Sequence, residues 1–245
     1  MWNPSDPAFL AAIAAVALLY SMVGHGGASS YLALMSFTLL AGRPASTLAL
    51  VMNLGVAGVS FLSFHRAKHF DLKLALPFLV GSIPMAYLGG RLPVPGEVHK
   101  WLISISLIWA AAWLLMGARK ADEEIRQIQP WVGISCGALL GLVSGMIGIG
   151  GGIFLSPLLI LAGLSTAKTA SSVAAVFILL NSLAGLAART PQDLAVVPQH
   201  LDLIAAAVCA SFAGSFFGAF RATSLQLRTA LGWVLALAAI KLAAG

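Results

Sequence analysis

The stretch VSGMIGIGGGIFLSP, residues 143–157, lies where two apolar runs at 131–147 and 153–162 meet, and its reading decides the fold. Gly148-Ile149-Gly150-Gly151-Gly152 places four glycines in five residues. Such a cluster interrupts a helix rather than tightening one, because glycine alone enters left-handed and extended backbone freely. The flanking runs are as apolar as membrane spans but too short to be comfortable separate crossings of a hydrocarbon core about 30 Å thick. Irregular backbone at that depth is tolerated only where it faces protein or water, since lipid satisfies no free N–H or C=O. The stretch therefore reads as the break in a re-entrant helix–break–helix hairpin.

The rest of the chain agrees with a membrane setting. Of 245 residues, 60% are hydrophobic and 9% charged, with a mean hydropathy of +0.95. A soluble surface, about a quarter charged on average, cannot be built from so few charges. Apolar segments fall near 8–23, 28–41, 45–64, 72–90 and 98–117, then 131–147, 153–162, 167–188, 200–221 and 226–243. No Lys or Arg precedes residue 8, so the first segment reads as part of the fold rather than a secretory signal. The net charge of +6 would suggest nucleic acid in a soluble protein, but here Lys and Arg are scattered singly between segments, as the positive-inside bias expects. Cys136 and Cys209 lie in apolar segments of different halves, with no CxxC or His/Cys cluster, and read as small hydrophobes.

Five segments precede and five follow the charge-dense stretch Arg119–Pro130. The expected organisation is a first membrane repeat over 1–117, a charged cytoplasmic linker over 118–130, and a second membrane repeat over 131–245. Gly24-His25-Gly26-Gly27 echoes Gly148–Gly152, and Gly81-Ser82 parallels Gly214-Ser215. Internal duplication is the usual construction of secondary transporters, whose substrate sites lie where the repeats meet. A hairpin plus three spans crosses the membrane an odd number of times, so the second repeat would be inverted. That arrangement puts Arg66, Lys68, Lys73, Arg119, Lys120, Arg126, Lys168, Arg221 and Arg228 on one side against Arg43, Arg91, Lys100, Arg189 and Lys241 on the other, nine against five. The richer side is then cytoplasmic and both termini lie outside. A parallel arrangement with four or five true spans per half stays open. The fold class is an all-α polytopic membrane protein of two repeats, each a glycine-broken hairpin plus three transmembrane helices.

A helix that starts just after such a break aims unsatisfied N–H groups and a partial positive charge into the cavity, which suits an anion. The starts fall at Gly27 to Ser30 and Gly151 to Phe154, and the expected anion site lies between the breaks around Gly26-Gly27 and Gly150-Gly151, with Ser29, Ser30 and Gly152 beside it. Isolated Gly55, Gly58, Gly137, Gly141 and Gly185 read instead as close-packing positions. His25, inside the first break, could donate to an anion, carry a coupled proton, or be a neutral ring bonded to unwound backbone. Asn53 and Asn181 are amides in apolar segments, expected to line a wet cavity or to bond between helices. Ser156, Ser171 and Ser172 could add hydroxyls to the same volume or bond their own backbone. Lys168 is either an anchor or a charge at the cavity mouth. Pro77, Pro84 and Pro157 lie inside expected helices as hinges or static bends.

Gly148-Ile149-Gly150-Gly151-Gly152 with Pro157 five residues on, followed by Ala170-Ser171-Ser172, resembles the signature of the TauE/SafE sulfite exporter family, also called the 4-toluene sulfonate uptake permeases. The first copy at Gly24–Ala28 departs from it, because His25 interrupts the glycines and Ala33 stands where the second copy has Pro157. The resemblance implies a carrier in the bacterial inner membrane for sulfite or a small organosulfur anion, with both motifs on the substrate path. Competing readings are a transporter of another anion or metabolite, or a membrane subunit that transports nothing. An intramembrane enzyme is disfavoured, because no HExxH or paired intramembrane carboxylate occurs. The expected partners are a small anionic substrate, sulfite or an organosulfonate, and the bilayer, with room for a coupling proton or sodium ion and for a homodimer. No cofactor, metal or nucleic acid is called for.

Overall fold

The computed structural model describes residues 3–40, 42–92, 126–223, 225–227, 229, 230 and 233. The expected spans at 98–117 and over most of 226–243, and the linker charges before residue 126, lie outside them. The described elements are all helical: α1 (Pro7–Met22), α2 (Ala28–Met35), α3 (Gly42–Arg66), α4 (Leu72–Arg91), α5 (Pro130–Ile147), α6 (Gly152–Leu161), α7 (Ala167–Ala187), the single turn α8 (Pro191–Leu194), and α9 (Leu201–Phe216), which runs into a π-helical turn at Phe217–Arg221. Helices α3, α4, α5 and α7, and the run Pro191–Arg221, are long and apolar enough to cross a membrane. Leu62, Leu76, Val80, Leu139, Leu183 and Phe212 stand exposed along them, as side chains facing lipid would.

Helix starts divide into two kinds. Asp6 caps α1 through Ala8 N, Asp71 caps α4 through Leu74 N, and Thr166 caps α7 through Thr169 N, so each receives the side-chain oxygen that satisfies an orphan N–H. By contrast α2, α5, α6 and α9 have no side-chain cap, and of these α2 and α6 begin at a left-handed glycine, Gly27 and Gly151. The first N–H groups of those two point into protein with no capping oxygen.

Neighbouring helices approach along glycines. A Cβ on Gly137, Gly141 or Gly145 of α5 would overlap the carbonyl of Phe78, Ser82 or Ala86 of α4, and one on Gly133 would meet Pro77. These pairs advance together, so α4 and α5 are parallel. Gly214 and Gly218 meet the carbonyls of Leu18 and Met22 in the same way, so α1 and α9 are parallel too. Gly81 on α4 and Gly214 on α9, paired in the sequence comparison, both approach a neighbouring carbonyl, but Gly81 meets Ile134 and it is Gly89 that meets Leu142, the position 124 residues after the Leu18 that Gly214 meets. α3 runs alongside α9, with Val208 beside Gly55 and Ser63 Oγ bonded to Ser215 Oγ at 2.9 Å. α7 is antiparallel to α3: Arg189 meets Ser46, Ser182 meets Asn53 and Leu179 meets Gly58. The principal packing pairs, α4 with α5, α1 with α9, α3 with α7, α4 with α7 and α3 with α9, are unchanged when α1, α3 and α4 are exchanged with α5, α7 and α9. Below, the upper face is the one where α3 begins and α7 ends.

Some boundaries differ from expectation. The second apolar segment was expected to run to residue 41, but α2 stops at Met35. Ser36 Oγ donates to Ala33 O and Thr38 Oγ1 to Met35 O, both at 2.7 Å, and these hydroxyls take over the carbonyls that another helical turn would need. Both cysteines are free thiols, and Cys209 faces outward rather than into a core.

Candidate functional site

Both breaks adopt the backbone that only glycine takes easily. Gly24 and Gly27 in the first have φ of 75° and 93°, and Gly148, Gly150 and Gly151 in the second have 80°, 76° and 77°. At each break the chain doubles back. Tyr20 Oη of α1 meets Ser30 Oγ of α2 at 2.9 Å and Ser29 Oγ at 3.2 Å. Beyond the second break, Ser156 Oγ of α6 donates to Ala170 O of α7 at 3.4 Å, and Gly152 lies against Ile178 further along α7, so α6 runs opposite to α7.

The two breaks are tied to each other. His25 Nε2 lies 3.0 Å from Gly152 O at the start of α6, while its Nδ1 lies 2.8 Å from Val23 O. Asn53 Nδ2 of α3 donates to Ile149 O of the second break at 3.2 Å and to Ser182 Oγ of α7 at 3.4 Å. A Cβ on Gly26 would overlap Asn53 Oδ1, and one on Gly150 would meet Ile178, Ser182 and Asn53 Nδ2. His25 and Asn53 are both almost fully buried, 1% and 0% exposed. A cavity of about 10 Å³, room for one water molecule, sits here between Tyr20, His25, Gly27, Ser29, Ile153 and Ile178.

The structure therefore gathers His25, Gly26, Gly27, Ser29, Asn53, Gly150 and Gly152 around one centre. Ser30 is engaged with Tyr20 beside it. Gly151 adjoins the centre without lining the cavity, since its missing Cβ would meet Phe177 and Ser144, each at 2.9 Å. Ser156 bonds backbone, and the Ser171 carbonyl packs on Gly24. Among the described residues Ser172 Oγ and both amide atoms of Asn181 are buried without a hydrogen-bond partner, as are Asn53 Oδ1, Tyr31 Oη and Ser144 Oγ. Lys168 Nζ donates to Ala219 O at 3.4 Å, an anchor between α7 and the π-helical turn. Sequence reading missed Tyr20, Tyr31, Ser144 and Ser182. Tyr20 lies in an unbroken apolar run and carried no local signal, whereas Ser182 directly follows Asn181.

Near the lower face a separate recess of about 500 Å³ is lined by Lys68, His69, Asp71, Lys73, Ser165 and Thr169. Burial, and then the Lys168 ammonium, hold His69 below its ordinary basicity against a bond to the Ala219 carbonyl.

The family described as sulfite exporter TauE/SafE aligns with residues 8–242, a range that takes in both glycine breaks. The chain belongs to the TauE/SafE family. It is a multi-pass membrane transporter of that family. Among TauE/SafE relatives, a protein of Sinorhizobium fredii named as a probable membrane transporter is 30% identical over 236 residues, covering 93% of this chain and 94% of that protein. A protein of Methanocaldococcus jannaschii, also named as a probable membrane transporter, is 29% identical over 133 residues, covering 52% of this chain and 49% of that protein. No solved structure matches the chain.

Proposed function

We propose that this TauE/SafE transporter is an inverted-repeat secondary carrier that exports sulfite or a related small organosulfur oxyanion across the bacterial inner membrane, binding it between the two breaks. The observation that carries the reading is the cross-connection of the breaks: His25 to Gly152 O and Asn53 to Ile149 O. Both bonds run from the first half to the second, so a rocking of the halves makes and breaks them. The helix directions support inversion. α3 and α7, matching members of the two halves, are antiparallel. α1 and α9 run with α3, whereas α4 and α5 run with α7, since Arg43 reaches Gly90 O at the end of α4 and Gly90 in turn lies against Ala188 beyond the end of α7. Each matched pair of helices therefore points in opposite directions. Among described residues Arg66, Lys68, Lys73, Arg126, Lys168 and Arg221 lie toward the lower face and Arg43, Arg91 and Arg189 toward the upper, which supports a cytoplasmic lower face.

The uncapped starts of α2 and α6 offer N–H donors and positive helix ends to an oxyanion. A cavity of about 10 Å³ is smaller than sulfite, so on this reading the lining side chains, Ile153 and Ile178 among them, must move apart to admit the anion. His25 supplies the coupling. Its two ring nitrogens each face a carbonyl oxygen, and only the imidazolium donates from both. A buried cation is costly alone, and an oxyanion in the adjoining cavity offsets that cost, so proton and anion bind together.

The test is transport of radiolabelled sulfite in proteoliposomes of the purified protein, with and without a pH gradient. Saturable transport that responds to the gradient supports the reading. Transport no faster than in empty liposomes removes sulfite, and the same result with sulfonates removes the anion-carrier reading.

A further inference from the structure

The upper face holds a second charged constellation that the transport site does not use. Arg43, in the first turn of α3, and Arg189, just past α7, come together although 146 residues separate them. Arg43 Nε pairs with Asp193 Oδ2 at 3.2 Å while its terminal nitrogen donates to Gly90 O at 3.3 Å. Arg189 donates to Ser46 Oγ at 2.7 Å, and its buried Nε has no hydrogen-bond partner. Asp193 is held from the other side by Thr190, whose N–H and Oγ1 both donate to Oδ2 at 3.0 Å. Arg43 thus pairs with the carboxylate directly while Arg189 acts on it through its charge alone, so two guanidiniums answer to one carboxylate and an excess positive charge remains in a half-buried cluster. The cluster borders the second break, for a Cβ on Gly148 would lie 2.9 Å from Ser46 Cβ and 3.4 Å from the Arg189 guanidinium. Burial, and then the like charge of Arg43, lower the basicity of Arg189, and Asp193 only partly restores it.

We propose that Arg43 and Arg189 form a second oxyanion-binding site at the upper mouth, which Asp193 occupies with its own carboxylate and which the transported anion enters by displacing that carboxylate. The guanidinium fork is the group best matched to an anion with two or more oxygens, and the free Nε of Arg189 supplies a donor that Asp193 leaves unused. The site rests on the transport reading for its role, but its binding is measurable without transport.

The test is the melting midpoint of the full chain in detergent against rising sulfite or methanesulfonate, with chloride at matched ionic strength as control. Asp193→Asn removes the competing carboxylate and lowers the half-saturating oxyanion concentration about three- to fivefold, the scale of a partly exposed ion pair. Arg43→Gln and Arg189→Gln each raise it about tenfold, and Arg→Lys at either position falls between, keeping charge but losing the fork. If the Gln variants fail to fold, Asp193→Asn decides alone, because a folding defect does not tighten binding. A wild-type midpoint that no oxyanion moves, a half-saturation the arginine variants leave unchanged, or weaker binding in Asp193→Asn overturns the proposal. Proteoliposomes that move no oxyanion while the Asp193-sensitive shift survives remove the transport reading and keep the site. Transport with no such shift does the reverse.

Discussion

Gly26→Ala probes the junction of the two breaks through a contact that the structure defines closely. The added Cβ overlaps Asn53 Oδ1, so the amide must swing away and give up Ile149 O and Ser182 Oγ. One buried carbonyl then loses its donor, which costs about 1–3 kcal/mol. If that junction is rebuilt in every transport cycle, the loss appears as about a 5- to 150-fold fall in kcat/KM for sulfite. Asn53→Ala removes the same bonds and should cost a similar amount. In the double variant the obstructing amide is gone and the nearest remaining atom, the Cβ at position 53, lies 3.2 Å from the new methyl, a contact relieved by a small shift. Gly26→Ala should therefore cost no more than about a factor of two in the Asn53→Ala background. The assay is initial sulfite transport by the four proteins, normalised to protein inserted in the liposome. Losses that multiply would refute the idea that the two residues act through one junction.

Gly151→Val should abolish transport, because a β-branched residue at a φ of 77° is a conformational outlier and its side chain would meet Phe177 and Ser144; wild-type rates would show that the second break is not needed. His25→Gln keeps a donor for only one of the two carbonyls and should make transport insensitive to a pH gradient, so a gradient response equal to wild type would move the proton elsewhere. Gly137→Leu forces a side chain against the Phe78 carbonyl and should destabilise the α4–α5 seam by about 1–3 kcal/mol, read as a lower melting midpoint in detergent; an unchanged midpoint would contradict that packing. His69 binds its proton less readily in the folded chain than in the unfolded one, so its contribution to stability is retained at high pH and falls as pH drops below the ordinary histidine value of about 6.5. His69→Gln should flatten the acid side of the melting-midpoint profile, and a profile identical to wild type would assign that slope to other groups.

What the sequence made legible was local. The glycine clusters, the helix starts at residues 28 and 152, and the close-packing role of Gly137 and Gly141 each follow from residue type and spacing along one segment. The inter-half contacts were not legible in the same way. Asn53 and Asn181 read as counterparts because each follows a hairpin, yet the breaks are offset by 124 residues (Gly26 to Gly150) and the helices behind them by 125 (Asn53 to Ile178), and it is Ile178 that faces Gly150 as Asn53 faces Gly26. Asn181 itself lies 128 residues after Asn53, three positions beyond Ile178, so the amide of the second half sits about one helical turn further along α7 and not opposite Gly150. Arg43 and Arg189 entered the sequence reading only as two charges in a tally of sides. Their convergence needs α3 and α7 to be antiparallel, and no local pattern carries that.

The register also shows that the duplication is not chemically symmetric. His25 corresponds to Ile149 and Asn53 to Ile178, so the first half brings an imidazole and an amide to the junction where the second brings two branched apolar side chains. A symmetric copy would set two imidazoles side by side, and their like charges on protonation would oppose each other. On the proposed cycle one imidazole would accompany one anion beside Ile149 and Ile178, whose apolar side chains would strengthen the interaction between them. It also means that the two sides of the junction do not respond alike when the halves separate. The donors leave with the first half, and the orphaned carbonyls of Ile149 and Gly152 stay with the second, where the buried amide of Asn181 has no partner in the described arrangement. On the proposed cycle this arrangement is therefore held by bonds the first half supplies, while the unsatisfied amide of Asn181 is a polar group of the second half that a different arrangement would engage.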